Sequence, residues 1–147
     1  MLLNRAEIAR LIPHGGPMCL LDGVISWNAS RICCMTSSHR DPHNPMRAGG
    51  QLPAVCGIEY AAQAMAIHGG LAGNIGAQPR AGFLASVRDV SIGMQRIDDL
   101  EGELIVEAEK MLGDESRVIY QFALRAGALA ILSGRATVVL DAGEPAT

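Results

Sequence analysis

The longest apolar stretch of the chain, LPAVCGIEYAAQAMAIHGG from Leu52 to Gly70, has no polar stripe wide enough to face water. It predicts a long helix from about Pro53 to His68 that other elements must cover on most sides. Pro53 suits the first turn, where its missing N–H would be unbonded anyway. Near the start, Asn4 followed by Glu7 forms a capping-box pattern for a short helix over Arg5 to Leu11, which PHGGP then breaks. MCLLDGVISW and RICCMTSS read as two strands joined by a turn at Asn28. Between them and the long helix lies HRDPHNPMRAGGQLP, a polar loop without a period and long enough to be functional. Four strand-like runs follow the helix: FLASVRDVSIGM, GELIVEAEKML, RVIYQFALRA and LAILSGRATVVLD. In the third, Val118, Tyr120, Phe122 and Leu124 share one face.

The predicted order is helix, two strands, one long helix, then about four strands in an antiparallel meander. This is an α+β class: one curved antiparallel sheet of five to seven strands wrapped around one central helix. Residues 1–141 form a single domain, and residues 142–147 form a frayed tail. A sheet around one helix leaves an open flank, so pairing of two copies through a sheet edge is expected.

Composition narrows the function. The 147 residues are 49% hydrophobic, carry a net charge of -3 and include only 3% aromatic residues, with no basic cluster. That argues against nucleic acid, which requires a positive footprint. No stretch approaches the length of a membrane span, and MLLNRAEIAR has no apolar run of signal-peptide length, so a cytoplasmic location is expected. Cys19, Cys33, Cys34 and Cys56 lack metal-ligand spacing and read as small hydrophobes in a reduced compartment. No metal site is expected.

Two motifs carry a resemblance. LIPHGGPMCLLDGVISW resembles the LPHRYPFLLVDRV pattern, and LPAVCGIEYAAQAMA resembles the MPGVLIIEAMAQA helix, with Pro53, Glu59 and Gln63 in register. Both patterns belong to the hotdog-fold 3-hydroxyacyl-[acyl carrier protein] dehydratases of fatty-acid synthesis. NPMR and LASVRDV are closer to a divergent branch, the dehydratase-like proteins of aryl polyene and related pigment clusters. The resemblance implies dehydration of carrier-bound 3-hydroxyacyl thioesters to trans-2-enoyl thioesters. It implies no cofactor beyond the phosphopantetheine that carries the substrate on the acyl carrier protein. It also implies a homodimer or a multiple of it, with histidine and glutamate from different subunits. The chain departs from the family at two points: the histidine of the family's HFP motif falls at Pro45, and the glycine after the helix proline is Ala54. His43, two residues before Pro45, and His39, at the start of the loop, are the candidates for the missing base.

Dehydration needs a base for the α-proton, an acid for the leaving hydroxyl and a donor for charge on the thioester oxygen. Glu59 fits the acid: its helix neighbours Val55, Cys56 and Ala62 are apolar, and burial among them should raise its pKa and keep a proton available. Gln63, one turn on, is placed to orient the carboxyl. The N–H groups of Ala54, Val55 and Cys56, at the start of the helix, are placed to receive the thioester oxygen. His14 reads as structural, and His68 as a partner of the helix C-terminal dipole. Arg40 and Arg47 are candidates for a carrier phosphate. GGLAGNIG reads as a mobile lid over an acyl tunnel. Two other functions stay open: a hotdog acyl thioesterase, and a non-catalytic subunit that binds acyl chains or pairs with an active dehydratase.

Overall fold

The computed structural model describes residues 2–12, 18–72, 82–114 and 116–140. The stretches containing His14, the second half of the expected lid and the expected C-terminal tail lie outside the described residues; the first half of that lid, Gly69 to Ala72, is instead the end of the long helix. The chain opens with β1 (Leu3–Asn4) and α1 (Arg5–Ala9). Asn4 Oδ1 accepts from Glu7 N at 2.9 Å while Glu7 Oε1 accepts from Asn4 N at 3.1 Å, so the capping box forms as read. β2 (Gly23–Trp27) and β3 (Arg31–Thr36) follow, joined at Asn28, whose N–H donates to Arg31 O at 2.8 Å. The long helix α2 (Gly57–Ala72) is entered through a 3₁₀ turn over Ala54–Cys56, so the regular helix starts four residues later than read and runs past His68. Then come β4 (Gly82–Ile92), β5 (Leu104–Gly113), β6 (Arg117–Ala126) and β7 (Leu129–Leu140).

The seven strands form one antiparallel sheet in the order β1-β2-β3-β5-β6-β7-β4. The expected four-strand meander is therefore corrected. β5, β6 and β7 meander, but β4 is carried to the far edge and pairs with β7, while β3 takes the place beside β5. β4 follows α2, so the helix works as a crossover that delivers the chain to the opposite side of the sheet.

α2 packs on the inner face of the sheet, against β3, β5, β6 and β4. The alternation of β6 decides what it meets: Val118, Tyr120, Phe122 and Leu124 are buried, and Ile119, Gln121, Ala123 and Arg125 are not. Gly57 lies against Leu124 and Leu132 so closely that a Cβ there would come within 2.7 Å of Leu132 Cδ2. The absent side chain lets the first turn of α2 sit down on the sheet.

Two buried polar links fix α2. At its C-terminal end, His68 is buried, with Nδ1 2.7 Å from Tyr120 Oη and Nε2 2.9 Å from Asn28 O. A carbonyl only accepts, so Nε2 carries the proton and the tyrosine hydroxyl donates to Nδ1. His68 thus ties the helix to the β2–β3 turn and to β6, rather than capping its own helix end. Near the N-terminal end, Tyr60 anchors the long loop. Asn44 Nδ2 donates to Tyr60 Oη and to Ser38 O, both at 2.9 Å, and Asn44 Oδ1 accepts from Met46 N at 2.9 Å. Ser38 Oγ donates to Leu20 O at 2.6 Å, so at the 3.0 Å Tyr60–Ser38 contact the tyrosine is the donor. Replacing Tyr60 by Phe leaves this buried amide and hydroxyl short of a partner. Unfolding in urea should show a loss of about 1–3 kcal/mol, and an unchanged midpoint would show that the loop does not depend on Tyr60.

Candidate functional site

The start of α2 is clamped before it can act. Residues 51–54 run beside residues 95–98: Ala54 N donates to Gln95 O at 2.8 Å, Ile97 N to Leu52 O at 2.9 Å, and Leu52 N to Asp98 Oδ1 at 2.9 Å. A hydrogen bond and ion pair with Arg96 hold the Asp98 carboxyl well below the usual carboxylate range. Cys56 N donates to Pro53 O at 3.0 Å within the 3₁₀ turn. Of the three backbone donors expected to face a thioester oxygen, Ala54 and Cys56 are therefore engaged inside the protein. Val55 N–H takes part in neither contact, and its side chain is 50% exposed.

Glu59 lies one helical turn beyond Val55. It is part-covered rather than buried, which corrects the expectation of full burial. The reason is the helix's placement: the sheet covers the side bearing Tyr60, Ala61, Ala64, Ile67 and His68. The side bearing Val55, Glu59, Ala62, Ala66 and Gly69 is left open or part-open. Among the described residues Glu59 makes no hydrogen bond or ion pair. Gln63 does not orient it. The Gln63 amide is buried and bound elsewhere, with Oε1 accepting from Leu20 N at 2.9 Å and Nε2 donating to Met18 O at 2.7 Å. Its two ends match a backbone donor and acceptor, so it pins the segment before β2 to α2.

The two candidate histidines occupy opposite environments. His39, in a 3₁₀ turn over Ser38–Arg40, is fully buried. Its Nε2 lies 3.0 Å from Leu100 O, so Nε2 holds the proton. Nδ1 is then a bare lone pair, buried and without a hydrogen-bond partner. Burial pushes the ring's pKa below its ordinary 6.5, outweighing the Leu100 hydrogen bond, which acts the other way. His43 is exposed, and its backbone N–H donates to Asp41 Oδ1 at 2.8 Å. Its side chain borders a cavity of about 120 Å3 shared with Arg5, Ser38, Asp41 and Asn44. Within one chain neither histidine makes a hydrogen bond or ion pair with Glu59.

Arg47, read as a partner for a carrier phosphate, is instead held inward. It donates to Asp41 O and Gly50 O, each at 2.8 Å, and to His39 O at 3.2 Å. Arg40 is exposed. Tyr60, Asn44 and Ser38 were not singled out from sequence. The signal was a lone phenol in an otherwise apolar helix, whose hydroxyl must find a partner when buried.

Burial also sets how stability depends on pH. His39 and His68 both have pKa values lowered below 6.5, mainly by burial. The unfolded chain therefore binds protons at pH values where the folded chain does not. The contribution is fully present above pH 6.5, falls as the pH drops below it, and levels off below the depressed folded values. Urea unfolding between pH 7.5 and 5 should show this decline, and His68→Phe should make it shallower. A flat profile over that range would contradict the assignment.

The family model described as ApeP dehydratase matches residues 6–145. The chain belongs to the ApeP-like dehydratase family. A chain of the dehydratase heterocomplex ApeI:P from Xenorhabdus doucetiae superposes on this family member with a TM-score of 0.80 at 24% identity, covering 91% of this chain and 90% of that one. Thioesterase HI1161 from Haemophilus influenzae has a TM-score of 0.66 at 14% identity, with both chains covered in full. A hypothetical thioesterase with coenzyme A from Streptococcus pneumoniae has a TM-score of 0.60 at 8% identity, covering 80% of this chain and 84% of that one. No curated protein matches in sequence. The fold of this ApeP-like protein is the hotdog fold, one long helix packed on a seven-stranded antiparallel sheet. No described helix is long and apolar enough to cross a membrane.

Proposed function

We propose that the chain is a subunit of a dehydratase that removes water from 3-hydroxyacyl thioesters carried on the phosphopantetheine of an acyl carrier protein, in fatty-acid or polyene synthesis. The observation that carries this reading is Glu59. It is a carboxylate without a partner among the described residues, on the side of α2 that the chain's own sheet leaves open, one turn beyond the Val55 N–H. Glu59 protonates the leaving hydroxyl, and Val55 N–H receives the thioester oxygen. A histidine takes the α-proton, and His39 is the better candidate for the base; because its Nδ1 is buried within its own chain, the Ser38–Arg40 turn must open for substrate to reach it. Its proton is fixed on Nε2 by Leu100, its Nδ1 lone pair has no other use, and it stays neutral at neutral pH.

Because none of the described histidines meets Glu59 within one chain, the site is proposed to close between two subunits, either two copies or this chain and a partner dehydratase. The named structural relative belongs to such a heterocomplex. The same observation supports a second reading, a subunit that holds the acyl chain while its partner does the chemistry. The deciding assay follows formation of the enoyl thioester from a 3-hydroxyacyl carrier protein, with the purified chain alone and with a partner dehydratase added. Turnover by the chain alone supports the first reading. Turnover only in the mixture, unaffected by Glu59→Gln in this chain, supports the second. Release of free thiol without enoyl product would favour a thioesterase over both.

A further inference from the structure

The outer face of the sheet, turned away from α2, carries two arginines directly opposite each other. Arg88 on β4 and Arg135 on β7 are register partners in the antiparallel pair. Like charges in that position repel, with Cβ atoms about 5 Å apart. On the same face Arg31 and Arg125 are neutralised, both pairing with Glu107. Arg88 and Arg135 have no hydrogen bond or ion pair among the described residues. The carboxylate nearest in sequence, Asp89, does not relieve them. It sits in a β-bulge with φ 55, where the register passes from Arg88/Arg135 to Ser91/Ser133, and it forms no ion pair. Between the arginines the surface is concave. A cavity of about 100 Å3 is lined by Arg88, Arg135, Thr137 and Ile119. At ~30 Å3 for a water molecule, that is room for about three waters, or one small tetrahedral anion.

We propose that this cavity is a binding site for a phosphate dianion, free or as the terminal group of a monoester. Two arginines from adjacent strands and Thr137 line this one cavity. That geometry suits a tetrahedral oxyanion with acceptors on every side better than a planar carboxylate, which a single arginine satisfies. The two positive charges match a dianion. The site is separate from Glu59 and the start of α2, which belong to the inner face.

The test is calorimetric titration of the full chain with inorganic phosphate, methyl phosphate and dimethyl phosphate, at constant ionic strength with chloride as the replaced anion. Saturable binding of phosphate with a dissociation constant of about 1 mM or tighter is expected. Arg88→Gln and Arg135→Gln should each weaken it about tenfold or more. Arg125→Gln, whose arginine is paired with Glu107, should leave it unchanged. Dimethyl phosphate, a diester monoanion, should bind at least tenfold more weakly than methyl phosphate. Whichever of inorganic and methyl phosphate binds tighter identifies the source as free or esterified. A second readout needs no ligand: in phosphate-free buffer Arg88→Gln should raise the melting temperature by removing the cross-strand repulsion. Binding that is absent, equally strong for the diester, or unaffected by both arginine substitutions overturns the proposal.

Discussion

Replacing Glu59 by Gln lowers the rate of dehydration by about 10²-fold or more while leaving the fold intact. Two physical facts set this expectation. The amide has the carboxyl group's size and can hydrogen-bond, but it has no acidic proton to give a leaving hydroxyl, and general acid help is worth about 10²–10⁴-fold. The fold is spared because Glu59 has no partner among the described residues whose loss would leave a buried group unpaired. The side chain is also only part-covered, so no core cavity opens. The measurement is kcat on a 3-hydroxyacyl thioester alongside circular dichroism of the variant. Wild-type turnover by the folded variant would remove Glu59 from the chemistry.

His39→Gln should produce a loss of similar size, about 10²-fold or more, whereas His43→Ala should reduce turnover only slightly. The glutamine amide can still donate to Leu100 O, which retains the one hydrogen bond of the imidazole, but it has no basic lone pair to take an α-proton. The contrast rests on environment. His39 is buried with its proton fixed on one nitrogen, and His43 stands in solvent at the edge of a small cavity. A pH profile separates chemistry from structure. With wild type, kcat/KM should fall on the acid side as the base becomes protonated, below pH 6.5 because burial lowers the ring's pKa. His39→Gln should lose that limb. If His43→Ala is the variant that abolishes turnover, the base is His43 and the buried imidazole is structural.

What the sequence displays depends on how local the cause is. The capping box at Asn4 and Glu7 was legible because both hydrogen bonds close within one turn. The face of β6 was legible because alternation has a fixed period. The position of β4 was not, because nothing in GFLASVRDVSI says whether it pairs with the next strand or with the last one. Glu59 shows the same limit within a helix. Composition says that α2 is apolar nearly all round, but not which part of its circumference the chain covers for itself. Gln63 looked like a neighbour for Glu59 at helical spacing, yet its partners are the backbone of Met18 and Leu20, more than forty residues upstream. Asn44 was visible only as part of a polar loop, and Ser38 only as the end of a strand-like run. Their role came from Tyr60, which the pattern marked as apolar.

The two margins of the sheet are unequal: β1 offers two residues of backbone, while β4 offers an eleven-residue strand. Open-ended growth of a β-structure needs two margins of matching length, one to accept a neighbour and one to offer the next. Among the described residues this chain has only one. Two chains that join their β4 strands leave no comparable strand at either end, so such an assembly stops at the pair. The molecule thereby carries a long bare strand without the means to propagate it into a fibre.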